Sequence, residues 1–252
     1  MHILAVETTG QYASVAIIDE NKKILAHETT MDAMNHLTGL VPMIKTALEN
    51  ANLEGKNLAA IACDIGPGSF TGIRIGVSTA RALAQSWGIP CVAVPGLASF
   101  LYRTENSENI MCAIYNARRH QVYGMIEDFL DDGPWMIEDI IETITNKVIP
   151  AYAGSKTPLQ IDFFGDGVDA YEDILVNELV PAMEEAGIKY VFTPGYARYQ
   201  DAVQIAHVGL QKYLKGESCE YYELMPNYMR QAEAEQKLRA GELPICKGPK
   251  QE

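Results

Sequence analysis

The sequence lacks the long apolar runs of membrane proteins and the paired cysteines of disulfide or metal frameworks. No window approaches the ~20 apolar residues that a membrane-spanning helix needs. The five cysteines are odd in number and form no C-x-x-C pair, which favours small core residues in a reducing compartment. The apolar stretch 3–6 is too short for an export signal and has no basic flank. We therefore expect a cytoplasmic protein.

Positive charge is also scarce. The 252 residues include 20 Lys and Arg against 33 Asp and Glu, a formal net charge of -13. The negative electrostatic potential of such a chain repels the phosphate groups of nucleic acids. Contact with nucleic acid therefore needs a local basic patch or a basic partner. The compact basic cluster is Arg118-Arg119-His120. It is either a salt-bridged surface turn or a contact to RNA phosphate or to an acidic partner.

Catalytic and metal-binding constellations are equally sparse. His36 is alone in its predicted helix, because Leu40 occupies the position where a helical metal pair would place a second histidine. It is better interpreted as a capping or surface residue. No Ser-His-Asp or Cys-His set can be argued from the sequence. We expect no metal site and no catalytic residue in this chain.

The predicted elements run through a similar order twice. Three strands that form an antiparallel meander, a helix, and alternating strands and helices fill the first hundred residues, and Gly88 is the predicted stop of the helix at 71–87. The order restarts after the polar stretch 103–109, with strands predicted at 110–116, 121–128 and 135–142. This pattern predicts an α/β fold of two lobes related by structural duplication. The predicted units are an N-terminal lobe over 1–103, a second, degenerate lobe over 104–217 that includes a helix at 202–215, and a tail over 218–252 that is partly packed and frayed at its end.

The most informative segment is Gly66-Pro67-Gly68-Ser69-Phe70-Thr71-Gly72-Ile73-Arg74-Ile75-Gly76. It joins a predicted strand to a predicted helix at 71–87, where free backbone N–H groups and the helix dipole can hold an anion. Ser69 and Thr71 would add hydroxyl donors, or one would cap the helix. The Lys-Ser/Thr ending of a P-loop is missing, since Ile73 and Arg74 follow Gly72. An anion cradle and a tight structural turn both remain open.

Small residues recur along the helix that follows. Gly72, Gly76, Ala80 and Ala84 are spaced by four and leave one strip of the helix almost flat. Another backbone can approach such a strip closely. One interpretation is packing on the helix's own sheet. The other is contact with a second subunit, with Ile73, Arg74, Val77 and Arg81 at the edge.

Taken together, these segments resemble the bacterial TsaB family, also called YeaZ. The glycine segment nearly repeats the family's signature. Four shorter segments support the resemblance: Met1-His2-Ile3-Leu4-Ala5-Val6-Glu7-Thr8-Thr9, Asn35-His36-Leu37-Thr38 with Leu40-Val41-Pro42, Asn116-Ala117-Arg118-Arg119 with Val122-Tyr123, and Pro226-Asn227-Tyr228-Met229-Arg230. The likeness is strong over residues 1–125 and thin from there to Tyr228.

The resemblance implies a duplicated actin-like or Hsp70-like ATPase fold of the ribonuclease H-like class. It implies a non-catalytic partner of TsaD in the complex that forms threonylcarbamoyladenosine at position 37 of tRNAs reading codons that begin with A. In that family TsaE joins the complex, and the chain would contact tRNA mainly through the complex. A homodimer of the chain is also expected. Alternatives are an independent ATPase or kinase of the superfamily, and a protease-like or chaperone-like regulator of TsaD.

The resemblance also implies the residues of the sites. Family members self-associate through helices that correspond to 34–51 and 71–87. The expected interface comprises His36, Leu37, Leu40, Val41, Ile44, Gly72, Ile73, Arg74, Gly76, Val77, Ala80 and Arg81. A vestigial nucleotide or tRNA contact would comprise Glu7, Thr8, Thr9, Ser69, Thr71, Arg118 and Arg119. Since Glu7 and Asn116 replace the acids that superfamily ATPases place there, we expect ATP and metal on partner subunits and no cofactor on this chain alone.

Overall fold

A computed structural model describes residues 1–30, 36–105, 107–153 and 159–229, with the backbone alone at 36–38. The predicted frayed end of the tail, from residue 230 on, lies outside the described residues. Among the residues that are described, no helix combines the length and apolar content needed to cross a membrane.

The first sheet has five strands in the order β3-β2-β1-β4-β5. The strands are β1 His2–Glu7, β2 Ser14–Asp19, β3 Ile24–Thr29, β4 Ala60–Asp64 and β5 Cys91–Val94. The first three form the predicted antiparallel meander, and β4 and β5 run parallel to β1. The central strand is buried on both faces, which explains its nearly continuous apolar sequence.

Helices cover both faces of this sheet. On one face lie α1 (His36–Ala51) and α2 (Phe70–Trp87), whose buried residues share one apolar cluster with β1, β2 and β4. Ser69 caps the start of α2 by accepting a hydrogen bond from the Gly72 N–H. Gly88 ends α2 in the left-handed conformation, with φ of 68°, and the predicted stop at this glycine is confirmed.

The opposite face is covered by α8 (Ala202–Leu214), which corrects the predicted lobe boundary. The range 104–217 placed this helix in the second lobe because of its position in the chain. In the structure its apolar side packs against β1, β2, β4 and β5 of the first sheet. Gly209 lies so close to β4 that an added Cβ would be 2.4 Å from the Cβ of Ala62. The helical periodicity gives the apolar face of α8 but not the sheet that this face meets.

The second sheet repeats the topology of the first. Its strands are β6 Ile110–Asn116, β7 Gln121–Ile126, β8 Leu130–Met136, β9 Gln160–Phe164 and β10 Lys189–Phe192. The order β10-β9-β6-β7-β8 again places an antiparallel meander on one side of a central strand and parallel strands on the other. The predicted α/β class and duplicated, two-lobed architecture are confirmed.

Short helices complete the chain. They are α3 Leu101–Thr104, α4 Ile137–Thr143, α5 Ile149–Tyr152, α6 Gly167–Ile174 and α7 Val180–Glu185, with π-helical turns at Ile144–Val148 and Leu175–Leu179 and 3-10 turns at Gly55–Asn57, Leu97–Phe100 and Gly195–Arg198. A strand predicted at 135–142 was wrong over most of its length. The strand ends at Met136, and α4 begins at Ile137 because its apolar residues 137, 140 and 144 then face the second core.

The closest approach in the first lobe joins the start of α2 to the turn after β1. An added Cβ on Gly72 would lie 1.9 Å from the carbonyl oxygen of Thr8. The Thr8 hydroxyl donates a 2.7 Å hydrogen bond to the Gly72 carbonyl, and the Ser69 N–H donates one of 2.8 Å to the Thr9 carbonyl. A side chain at position 72 would therefore separate the helix from the strand.

We predict that Gly72→Ala destabilises the protein by about 1–3 kcal/mol or more, because backbone atoms must shift to admit the methyl group. The matched control is Gly39→Ala in α1, where the added Cβ would lie 4.0 Å from the Met43 sulfur. Alanine favours the helix there, so the control should be neutral or more stable by up to about 1 kcal/mol. Urea unfolding measures both free energies, and equal midpoints for the two variants would contradict the contact.

Candidate functional site

A cleft of about 520 Å³ lies between the two sheets. From the first lobe it is lined by the turn after β1 and the start of α2, through Thr9–Gln11 and Gly68–Phe70. From the second lobe it is lined by the end of β6 and the turn that follows, by Tyr123, and by Asp166 just after β9. Gln200, in the loop before α8, also lines the cleft. Such a cleft at the carboxyl ends of parallel strands is the usual ligand position in open α/β sheets.

Glu7, a predicted contact residue, does not reach this cleft and contacts its own turn. It is fully buried, and its Oε1 accepts hydrogen bonds from the backbone N–H groups of Thr9 and Gly10 and from the Thr9 hydroxyl. It is not among the residues that line the cleft. The longer glutamate side chain thus folds back onto its own turn, and its carboxylate holds that turn in shape.

Asp64, at the end of β4, forms a buried carboxyl pair with Glu7. Its Oδ1 accepts a 2.7 Å hydrogen bond from the Gly66 N–H, and its Oδ2 lies 3.1 Å from the Thr9 hydroxyl. Burial raises the pKa of Asp64 well above its ordinary value, and the neighbouring charge and hydrogen bond of Glu7 raise it further. Asp64 therefore keeps its proton into a higher pH range than an exposed aspartate does.

Ser69 and Thr71 do not form a hydroxyl cradle. The Ser69 Oγ accepts a 3.3 Å hydrogen bond from the Gly72 N–H, and the Ser69 N–H already donates to Thr9. Thr71 is exposed on the first turn of α2 and does not line the cleft. The Ser69 and Gly72 N–H groups already have partners within the protein, which favours the tight structural turn, and the anion cradle stays an open prediction.

The basic cluster forms the turn between β6 and β7. Arg118, Arg119 and His120 all have left-handed backbones, with φ of 64°, 55° and 64°. Three consecutive non-glycine residues in this region are strained, and such strain concentrates at functional sites. Arg118 lines the cleft, Arg119 is exposed, and His120 Nδ1 lies 3.3 Å from a carboxylate oxygen of Glu138.

Asn116 ties this turn to the second lobe. Its side-chain oxygen accepts hydrogen bonds from the Arg118 N–H at 2.8 Å and from the Tyr171 hydroxyl at 3.3 Å. Its own N–H donates to Asp166 Oδ1 at 2.9 Å. Asn116 therefore positions the turn, while the carboxylate at this end of the cleft comes from Asp166.

Seven of the predicted interface residues are buried within the chain itself, and the interface stays a prediction. The buried residues are Leu40, Ile44, Gly72, Ile73, Gly76, Val77 and Ala80. The small strip of α2 lies on the end of β1, as the close approach of Gly72 and Gly76 to Thr8 shows. The side chains of His36 and Leu37 lie outside the described residues. Val41 is 56% exposed, Arg74 is exposed and Arg81 is half-buried, so these three remain accessible.

The accessible edge of α2 meets the C-terminal segment 224–229. Leu224 is buried in the first lobe, and the Asn227 N–H donates to the Ile65 carbonyl at 2.7 Å. The Arg74 guanidinium lies 4.0 Å from the centre of the Phe70 ring and donates to the Tyr228 hydroxyl at 3.1 Å. A groove of about 370 Å³ results, lined by Arg74, Val77, Ser78, Arg81, Pro226 and Tyr228. We call it the α2 groove.

Comparison with known proteins now identifies the family. The family model of TsaD, tRNA N6-adenosine threonylcarbamoyltransferase, matches residues 23–238. The chain belongs to this family. Over its length it is similar to proteins named TsaB, as the glycine segment indicates. It is 28% identical to the tRNA threonylcarbamoyladenosine biosynthesis protein TsaB of Bacillus subtilis over 94% of this chain and 97% of the relative.

A second relative agrees with this placement in the TsaB/YeaZ family, and a solved structure has the same fold. The chain is 32% identical to the TsaB protein of Haemophilus influenzae, over 48% of this chain and 51% of the relative. The structure of YeaZ from Pseudomonas aeruginosa superposes with a TM-score of 0.66 at 22% identity, covering 90% of this chain and 99% of the other. At that identity the superposition shows the fold alone.

Sequence reasoning missed Tyr115, Asp166 and Gln200 among the residues that line the cleft, and it missed Asp64, which lies buried behind the turn after β1. Asp64 and Asp166 had a usable signal, because each stands at or just after the carboxyl end of a parallel strand. Tyr115 lies in the apolar strand β6, and Gln200 lies in a loop before α8. Only the tertiary fold brings the last two to the cleft.

We predict that Asp64→Asn is more favourable to stability at neutral pH than at acidic pH. The pKa of Asp64 is raised in the folded protein. The protonated Asp64 therefore contributes its full stability when the pH is below 3.8, the ordinary pKa of an aspartate, and this contribution is lost as the pH rises through the folded pKa. Asparagine cannot ionise and therefore does not incur this loss.

The measurement is the free energy of unfolding of Asp64→Asn relative to the unaltered protein, taken at neutral pH and near pH 3.8. The control is Asp132→Asn, which alters an exposed carboxylate in β8. A stability difference for Asp64→Asn that does not change with pH would contradict the raised pKa.

Proposed function

We propose that this chain is a partner subunit, without chemistry of its own, in the biosynthesis of threonylcarbamoyladenosine on tRNA. In this proposal it binds a TsaD-type threonylcarbamoyltransferase, and a TsaE-type ATPase joins the complex. The names of the TsaB relatives and the match to the transferase family model support the pathway. The proposal places the chain in the cytoplasm, where it meets tRNA mainly through the complex.

The observation that carries the partner role is the accessible surface on the neighbouring helices α1 and α2 and on the C-terminal segment. Val41 on α1 is 56% exposed and Met225 in the C-terminal segment is 61% exposed. Arg74 and Arg81 border the groove, in a chain whose net charge is -13. Arginine together with exposed apolar and aromatic side chains is the composition of interface hot spots. A homodimer would use the same surface and therefore compete with the transferase.

The absence of independent catalysis is supported by what Glu7 does. Its Oε1 is engaged by its own turn, and Asn116 holds the β6–β7 turn where superfamily ATPases have an acid. In our proposal ATP and metal bind to partner subunits. An independent ATPase or kinase would instead bind Mg-ATP tightly to the isolated chain, which calorimetry measures. A protease-like regulator would degrade the transferase on long incubation.

We predict that Val41→Glu weakens the complex with the TsaD-type protein from the same organism by roughly tenfold or more, equivalent to about 1.4 kcal/mol. The new carboxylate would have to be desolvated at an apolar contact. The matched control is Leu214→Glu, which alters a residue that is 65% exposed on α8, on the other side of the sheet. Affinity is measured by calorimetry, after circular dichroism has shown that both variants are folded.

Two results would contradict the proposal. One is a failure of the unaltered protein to form a complex with the transferase in size-exclusion chromatography. The other is equal affinity of the transferase for Val41→Glu and for the unaltered protein, which would move the interface away from this surface.

A further inference from the structure

Two cysteines from distant parts of the chain lie opposite each other at the edge of the first sheet. The Cys91 N–H donates a 2.9 Å hydrogen bond to the Cys219 carbonyl, and the Cys219 N–H donates one of 2.8 Å to the Cys91 carbonyl. The two residues thus form an antiparallel bridge at the start of β5. In a pair with two such reciprocal bonds the Cα atoms are about 5.5 Å apart. No spacing in the sequence indicates this pair.

The two thiols share one face of the sheet. Directly opposed residues of an antiparallel pair place their side chains on the same face, with Cβ atoms about 4.5–5.5 Å apart. The packing agrees, because Cys91 belongs to the apolar cluster that α1 and α2 share with the first sheet, and Cys219 packs against the same cluster. A disulfide needs Cα atoms about 4.4–6.8 Å apart and Cβ atoms about 3.5–4.5 Å apart. The sulfurs can therefore bond after only a small approach of the two backbones.

Accessibility distinguishes the two thiols. Cys91 is fully buried, whereas Cys219 is half-buried, so an oxidant from solution reaches the Cys219 sulfur first. Burial, and next the charge of Cys219, raise the pKa of Cys91 to about 12, and burial also raises the pKa of Cys219. Because the thiolate is the reactive form, the pair reacts slowly near neutral pH and stays reduced where no oxidant is in excess.

We propose that Cys91 and Cys219 form a reversible disulfide when the chain meets a small disulfide oxidant such as oxidised glutathione. The Cys219 thiolate attacks one sulfur of oxidised glutathione, whose S–S bond breaks and releases one glutathione thiolate. Cys91 loses its proton, and its sulfur attacks the Cys219 sulfur of the mixed disulfide, which releases the second glutathione. The protons of both protein thiols end on the two glutathione molecules. The protein is oxidised by two electrons, and the glutathione disulfide is reduced.

The bond would anchor the chain just before the C-terminal segment. That segment supplies Pro226 and Tyr228 to the α2 groove. The redox state of the cysteine pair would therefore determine how firmly one wall of the groove is attached to the first sheet. The disulfide itself does not depend on the proposed partner role, and its test uses the isolated chain.

Peptide mapping of the full chain tests the pairing directly. The protein is equilibrated with excess oxidised glutathione at a pH near the ordinary thiol pKa of about 8.5 and is then digested without reduction. Trypsin places each of the five cysteines in a different peptide. We expect one linked pair of peptides, joined through Cys91 and Cys219, which separates when dithiothreitol is added. Cys219→Ser should lose this pair, and the matched control Cys246→Ser should keep it.

Amide hydrogen exchange measures the anchoring. The Cys219 N–H is bonded to the Cys91 carbonyl, so it exchanges only when the two backbones separate. A covalent bond between the two side chains makes that separation rarer. We expect exchange of the Cys219 amide to slow roughly tenfold or more in the oxidised protein relative to the reduced protein.

Three results of the mapping would overturn the proposal. They are free thiols at both positions after equilibration, a Cys219 that stops at the mixed disulfide with glutathione, and a linked peptide that joins either residue to another cysteine. All three are read from the unaltered chain, so the test holds even if a variant fails to fold. Equal exchange of the Cys219 amide in the oxidised and reduced proteins would overturn the anchoring.

Discussion

The contact between the start of α2 and the turn after β1 determines much of the first lobe. Gly72 carries no side chain, so the carbonyl oxygen of Thr8 can lie where a Cβ would be. Three further interactions strengthen the contact. The Thr8 hydroxyl donates a hydrogen bond to the Gly72 carbonyl, the Ser69 N–H donates one to the Thr9 carbonyl, and the Ser69 side chain caps α2. The buried Glu7 carboxylate stabilises the same turn by accepting hydrogen bonds from the Thr9 and Gly10 N–H groups. A helix with a larger residue at this position could not rest on the sheet in this way.

This contact gives α2 two different sides. Its small residues pack against the turn after β1 inside the lobe, and its first residues line one side of the cleft. Its other side, with Arg74, Ser78 and Arg81, is left for the α2 groove, to which the C-terminal segment contributes Pro226 and Tyr228. In our proposed function the groove side meets a protein, and the cleft is a separate surface. The two surfaces can act independently because different faces of one rigid helix carry them.

Much of the fold could be predicted from the sequence, and the exceptions have physical causes. The meander, α2 and its stop at Gly88 depend on local periodicity and capping, which the sequence carries. The partner of α8 depends on a long-range contact, and its apolar stripe is equally suited to either sheet. The spacing of Gly72, Gly76 and Ala80 indicated a close approach but not which backbone approaches. Tyr115 and Gln200 are far apart in the chain, so no local pattern could connect them.

Site-specific photo-crosslinking is the most direct test of the account's central claim, that the groove side of α2 meets the transferase. A benzophenone residue would replace Ser78, which is exposed beside Arg74 and Arg81, and in a second variant Val176 in the second lobe. After mixing with the TsaD-type protein, the account predicts a crosslinked heterodimer from position 78 and none from position 176. Crosslinking from position 176 alone would place the partner on the second lobe and contradict the account.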